Sequence, residues 1–280
     1  MIPEEAATVM LVRDAPRLET FMMRRNPRSA FVPGAHVFPG GKVDPDDTDP
    51  VVLVGATGPD DVVADAWLGR SGARRFWVAA VREAFEETGV LLARRADGRD
   101  FVPDESERTA LAGWRPAVLA GDATLAAVLA DLGLVLDLDG VVPIAHWITP
   151  EASDRRYDTW FFVAAAPAGH DPTHAEGEMV ESAWLSPDEV LRRARARRLE
   201  LIYPTVRTLL LARRYPSGEG LVAAARERWH RPDPWRVMNP DQGWQLDLVG
   251  DEEHRADDRA SGFVMGMELP MGGIVPSVGR

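Results

Sequence analysis

Cysteine is absent from the 280 residues. Disulfides and thiolate metal sites are therefore excluded, and any bound metal must rest on oxygen or imidazole. Lysine is nearly absent too: Lys42 is the only one, so arginine carries almost all the positive charge. No uninterrupted apolar run approaches the roughly 18 residues that a membrane span needs. The opening Met1-Ile2-Pro3-Glu4-Glu5 lacks the basic-then-apolar pattern of a secretory leader. These absences predict a cytoplasmic protein with no membrane partner. The net charge of −12 disfavours nucleic acid and anionic lipid as partners, because a phosphate polyanion would be repelled. A small polyanion can still bind where a metal or local arginines reverse the sign.

What is present is ordinary for a globular chain, with 45% hydrophobic and 27% charged residues. Residues 7–13 and 18–24 are short, β-prone and apolar, with Asp14-Ala15-Pro16 between them, and predict a hairpin. A glycine- and proline-rich loop over 31–43 flanks a short strand at His36-Val37-Phe38. An Asp/Pro/Gly-rich surface excursion follows over 44–61, then a short helix from Asp61 to Leu68. Residues 104–133 suggest two helices separated by Gly121-Asp122. Strands are expected at 144–149, 159–165 and 180–185. Ser186-Pro187-Asp188-Glu189 has the serine, proline and glutamate spacing of a helix start, and helical patterns resume near 204–215 and 219–229. From Trp235 the chain is rich in Gly, Asp and Pro, with a strand or two at most.

The clearest helix runs from Phe76 to Thr88, with Gly89 placed as a left-handed C-cap. At about 100° per residue, Glu83, Glu86 and Glu87 fall on one side, and Trp77, Val81, Ala84 and Phe85 on the other. Like charges at this spacing repel by a few tenths of a kcal/mol per pair. Such a cluster of hard oxygen ligands suits Mg²⁺ or Mn²⁺, which would remove the repulsion. On the residues alone the ordinary reading is a merely solvated acidic face.

The stretch Arg82-Glu83-Ala84-Phe85-Glu86-Glu87-Thr88-Gly89-Val90 resembles the second half of the Nudix box. Gly41 to Asp47 stands where the first half would be, with Asp47 in place of the usual glutamate. From Gly41 to Arg82 is 41 positions where the pattern has 14, so 27 additional residues split the motif. The resemblance implies an α/β protein: a Nudix-like α/β/α sandwich around a mixed sheet, with helical insertions and a C-terminal extension. It divides the chain into a Nudix domain over 1–235, with insertions near 48–75 and 104–133, and a partly irregular extension over 236–280. It also implies that Glu86 and Glu87 are the principal ligands of Mg²⁺ or Mn²⁺, with Glu83 a ligand or base. Arg82 orients a glutamate, and Gly41 offers its carbonyl to the metal. A further carboxylate is expected from Glu178, ahead of Glu181 and Glu176.

Pro33-Gly34-Ala35-His36-Val37-Phe38-Pro39-Gly40-Gly41, Trp147-Ile148-Thr149-Pro150, Arg155-Arg156-Tyr157-Asp158-Thr159 and Trp184-Leu185-Ser186-Pro187 are similar to segments of the peroxisomal coenzyme A and acyl-CoA diphosphatases. Those enzymes also carry an interrupted box. A CoA-like nucleotide is thus the expected partner, cleaved to 3′,5′-ADP and a 4′-phosphopantetheine product. Its phosphates need cations, and guanidinium groups bind phosphate bidentately. Arg25, Arg28, Arg155 and Arg156 are the candidates, with Arg24 in the same pool. One departure stands out: Ala30 occupies the position where the bacterial CoA motif has arginine. An ADP-ribose or dinucleotide diphosphatase is the alternative within the class, and a non-catalytic Nudix-fold binding module the alternative outside it. His36 reads as a structural strand histidine, and Met22-Met23 and Trp160-Phe161-Phe162 as core. The 48–75 insertion could gate the site or form a homodimer contact.

Overall fold

The computed structural model describes residues 2–149, 153 and 155–229, and two later strands at 235–239 and 243–246. The end of the Trp147–Pro150 motif and most of the 236–280 extension lie outside the described residues. The strands are β1 (Glu4–Asp14), β2 (Leu18–Arg25), β3 (Ala35–Val37), β4 (Gly40–Lys42), β5 (Ala93–Arg95), β6 (Leu134–Leu136), β7 (Val141–Ile148), β8 (Tyr157–Ala165), β9 (Met179–Leu185), β10 (Glu200–Leu201), β11 (Trp235–Asn239) and β12 (Gly243–Leu246). The helices are α1 (Asp61–Leu68), α2 (Arg74–Thr88), α3 (Glu105–Leu119), α4 (Leu125–Leu132), α5 (Pro187–Arg195), α6 (Tyr203–Ala212) and α7 (Gly218–Trp229). None among the described residues is long and apolar enough to cross a membrane.

The main sheet is mixed, in the order β10-β3-β2-β1-β8-β7-β12-β11, with β4 added against β1 and β9 against β2. The hairpin pairs Val12 with Thr20 and Asp14 with Leu18, while β1 and β8 run parallel from Glu4↔Tyr157 to Val12↔Ala165. Residues 6, 7 and 9–12 of β1 are all buried, as expected of a central strand covered on both faces. Alternation along the strands then decides what each face meets. Trp160 and Phe162 meet Phe76 and Trp77 of α2. Ala6, Thr8, Thr159 and Phe161, on the opposite face, line an open cleft.

The expected elements recur with small shifts. Two features differ. Gly40-Gly41-Lys42, expected as loop, forms strand β4 against Ala6–Thr8, and a separate two-stranded ribbon joins β5 to β6. The excursion after β4 is partly ordered as 3-10 turns at Pro45–Thr48 and Pro50–Leu53. It packs on α4 and β6, and Thr57 Oγ1 donates to Asp137 Oδ1 at 2.8 Å and Thr57 N to the Leu136 carbonyl.

Candidate active site

Helix α2 has no solvent face from Phe76 to Thr88: every one of those residues is buried. This corrects the simple amphipathic picture. Apolar residues pack on the sheet, and Glu83, Glu86 and Glu87, 9%, 8% and 6% exposed, turn into the open cleft. Gly89 ends the helix at φ 78° in the left-handed region, where glycine avoids the Cβ clash.

The two halves of the split motif meet in space. Arg82 Nε and Nη2 donate to Asp47 Oδ1 and Oδ2 at 2.9 and 3.0 Å, and Nη2 also donates to the Lys42 carbonyl at 2.7 Å. Arg82 Nη1 reaches Glu83 Oε1 at 2.9 Å and Glu86 Oε1 at 3.1 Å. Asp47 is 1% exposed, so its shorter side chain anchors the arginine from below and does not open to the cleft. Its other role is local: Asp47 Oδ2 accepts from Asp44 N at 2.7 Å, closing the 3-10 turn.

The two glycines of the preceding strand have close neighbours, and packing requires Gly40. The Gly40 amide donates to Glu87 Oε2 at 2.8 Å. A Cβ on Gly40 would lie 2.5 Å from Thr8 Oγ1, and one on Gly41 would lie 2.5 Å from the Glu83 carboxyl carbon. A side chain on Gly40 would push β4 away from β1, and one on Gly41 would displace the Glu83 carboxyl.

Burial governs the electrostatics. Desolvation raises the Glu83 carboxyl to about 8, with Arg82 opposing and Glu86 adding. It also raises Glu86, against Arg82. It lifts Glu87 well above the ordinary carboxylate range, with Glu83 and Glu178 adding to the push. Asp47 is raised by burial despite its bonds to Arg82. For Arg82, burial works against the charge, but Asp47, Glu83 and Glu86 outweigh it and hold the pKa above its usual value. Asp47, Glu83 and Glu86 thus share one buried guanidinium, and Glu87 adds a fourth buried carboxyl group.

A hard divalent cation fits this donor set. It would relieve the crowding, and only oxygen ligands are offered. In the present side-chain arrangement no three acidic or imidazole groups converge on a coordination point among the described residues. Glu83 and Glu86 lean on Arg82, and Glu87 on the Gly40 amide. Coordination would exchange those contacts by rotation about side-chain bonds.

The remaining candidates separate by position. Glu178 lies at the cleft and accepts from Arg25 Nη2 at 2.6 Å. Glu181 pairs with Arg24 at 3.9 Å on the β2–β9 strands, and Glu176 is exposed. Arg25 and Arg155 line the cleft, whereas exposed Arg28 and half-buried Arg156 do not. Arg156 Nε donates instead to the Thr149 carbonyl at 2.9 Å. His36 is not among the lining residues; burial lowers its pKa.

Three features of the cleft escape sequence reasoning. Lys42 lines it, paired with Glu4. Phe31 and Tyr157 form an edge-to-face aromatic pair at 5.1 Å. Val32, a β-branched residue, takes φ 41°, a strained conformation of the kind concentrated at ligand sites. The cleft measures about 690 Å³, and its lining also includes the apolar Val32, Leu119, Ile202 and Pro204.

A family model of the NUDT19 Nudix domain matches residues 71–210, half of the chain. The chain is 28% identical over 248 residues to the acyl-coenzyme A diphosphatase NUDT19 of Gallus gallus, covering 71% of this chain and 65% of that protein. It is 28% identical over 219 residues to the Homo sapiens protein of the same name, covering 67% and 58%. The chain therefore spans less than two thirds of the length of these curated relatives. Among solved structures, a NUDIX hydrolase from Alicyclobacillus acidocaldarius superposes with a TM-score of 0.64 at 26% identity, covering 80% of this chain and 96% of that one. With the carboxylate helix, the paired glycines and the mixed sheet in their places, the chain belongs to the NUDT19 Nudix domain family.

Proposed function

We propose that this protein is a metal-dependent diphosphatase that hydrolyses coenzyme A or acyl-CoA to 3′,5′-ADP and the corresponding 4′-phosphopantetheine. The observation that carries this reading is the make-up of the cleft. Its lining brings together buried carboxylates beside Gly40-Gly41, the cations Arg25, Lys42 and Arg155, and apolar side chains such as Val32, Ile202 and Pro204. A nucleotide linked through a diphosphate to a long, weakly polar arm matches that combination. The relatives named as acyl-coenzyme A diphosphatases support it.

In this reading Glu86 and Glu87 hold Mg²⁺ or Mn²⁺, with Glu83 as ligand or base and the Gly41 carbonyl beside them. The ion would neutralise phosphate charge and acidify a bound water. Arg82 keeps Glu83 and Glu86 from splaying apart, and the Gly40 amide aims Glu87. Water adds to one phosphorus, the bond from that phosphorus to the bridging oxygen breaks, and the water's proton passes to a cleft carboxylate. Arg25, Lys42 and Arg155 meet the outer phosphates, including the 3′-phosphate. Glu178, held by Arg25, completes the acidic rim.

A panel of CoA, acyl-CoA, ADP-ribose and dinucleotides, assayed with Mg²⁺ or Mn²⁺ and with products identified by mass, tests the proposal. Release of 3′,5′-ADP from CoA or acyl-CoA is expected. Cleavage of ADP-ribose with CoA and acyl-CoA untouched would refute the CoA assignment. Tight binding of nucleotide without turnover of any compound would point to a binding module.

A further inference from the structure

The C-terminal end of α2 is satisfied almost wholly from outside the helix. Four final carbonyls lack intrahelical partners in any α-helix. Here the Phe85 carbonyl accepts from Gly89 N at 2.8 Å. The Glu86 carbonyl accepts from Arg115 Nε at 2.8 Å, and the Glu87 carbonyl from Arg115 Nη2 at 2.7 Å. Glu87 O also accepts from Ala175 N at 3.0 Å, and Thr88 O from Thr173 N at 3.0 Å. The helix has no basic residue of its own in its last turn, so Arg115, reaching across from α3, supplies the cation that its dipole favours there.

The same guanidinium binds a second partner. Arg115 Nη2 donates to the Thr173 carbonyl at 2.8 Å, and Nη1 to Thr173 Oγ1 at 3.1 Å. Thr173 and Ala175 belong to the segment between β8 and β9 that ends in Glu178. That segment is tied at its far end by Asn26, whose backbone amide donates to the Glu178 carbonyl at 2.8 Å and whose Nδ2 donates to the Gly177 carbonyl at 2.9 Å. One side chain from the 104–133 insertion therefore holds the peptide groups of Glu86 and Glu87 and the approach to Glu178 together.

We infer that Arg115 is a positioning residue, fixing the α2 carboxylates and Glu178 relative to one another by locking the helix end and the β8–β9 segment into a single unit. The inference rests on α2 being the catalytic helix. Arg115 itself does not line the cleft. Its planar fork is what allows two carbonyls and a threonine to be held at once, and lysine offers no such geometry.

Arg115→Met and Arg115→Lys test this with three readouts: amide hydrogen exchange, Mn²⁺ affinity from the electron-spin signal of free Mn²⁺, and steady-state turnover. In both variants exchange is expected to rise at residues 173–178 and at the end of α2. Mn²⁺ binding is expected to weaken about tenfold, the usual effect of disturbing the groups behind metal ligands. Turnover should fall on the order of tenfold to a hundredfold with KM little changed, as for a small misplacement of reacting groups. If Arg115→Met fails to fold, Arg115→Lys decides, since it keeps the charge at the helix end. A folded variant with normal exchange at 173–178 and normal Mn²⁺ affinity would overturn the inference, even with a lowered melting temperature, and leave Arg115 a simple helix cap. Raised exchange with unchanged turnover would overturn it as well. A wild-type protein that binds Mn²⁺ but cleaves none of the nucleotides would refute the hydrolase reading, while exchange and Mn²⁺ affinity would still judge Arg115.

Discussion

At the scale of single residues the site is a balance between charge and burial. Glu87 is desolvated and pressed by Glu83 and Glu178, while the Gly40 amide donates to its carboxylate. Glu87→Gln keeps an acceptor for that amide and removes the anion. Turnover is expected to fall at least about a hundredfold, while the melting temperature of the metal-free protein holds or rises. A calorimetric scan beside an activity assay checks both halves. Asp47→Ala should do the reverse, harming stability first. It strands a buried guanidinium, and breaking a buried pair costs roughly 3–5 kcal/mol. Glu83 and Glu86 still contact Arg82, which favours the lower end of that range, measurable by urea unfolding.

Legibility in the sequence also divides at this scale. Glu83, Glu86 and Glu87 could be found because their spacing is helical and local. The role of Asp47 could not, since its partner is 35 residues away. Arg115 carries no local signal at all, for its meaning lies in carbonyls that any sequence possesses. Arg155 and Arg156 look equivalent as letters, yet one faces the cleft and the other bonds to Thr149. Both precede β8, and which of them meets the cleft is settled by the three-dimensional path of the chain.

At the scale of elements, α2 was legible through its periodicity and Gly89, whereas β4 was hidden because two glycines give no pattern of hydrophobicity. Gly89 and Gly133 both end helices in the left-handed region, at φ 78° and 63°. Alanine at either position should cost about 1–2 kcal/mol of backbone strain. Neither faces a steric obstacle: the nearest atom to an added Cβ at Gly89 is Arg115 Nη1 at 3.5 Å, and nothing lies within 4 Å at Gly133. The two variants should therefore melt alike but differ in function. Gly133→Ala is expected to retain full turnover, and Gly89→Ala to lose part of it because it shifts the end of α2 that Arg115 holds. Equal turnover in the two would contradict this.

At the scale of the whole molecule, an ion network spans the sheet. Arg75 and Arg70 bond to Glu5, Arg70 to Asp158, and Asp158 to His146. Hydrogen bonding to Arg75 lowers the pKa of Glu5 from the ordinary 4.5 in spite of burial. Burial pushes Asp158 up, but His146 and Arg70 outweigh it, so its pKa falls below 3.8. A depressed carboxyl contributes stability that is present above its unfolded value and lost as pH falls through the folded one. The network should therefore weaken below about pH 4.5. Glu83, raised to about 8, has the opposite slope and acts between 4.5 and 8, so the two windows do not overlap. Urea melts from pH 3 to 6 on the wild type and Glu5→Gln check this. The variant is expected to be less stable at pH 6 and to lose less on acidification.

The insertion that divides the motif has a further consequence, for the chain's continuity. Asp47 and Arg82 meet across it, and Gly40 and Glu87 meet across 47 residues. The bond from Arg25 to Glu178 closes 153. None of these contacts depends on the peptide bonds at Val54-Gly55, where Val54 is 72% exposed. A nick there would leave two fragments that still share the sheet and the acid pocket. The chain is thus suited to being expressed as two complementary fragments of unequal length, with the acid pocket reconstituted only when they associate.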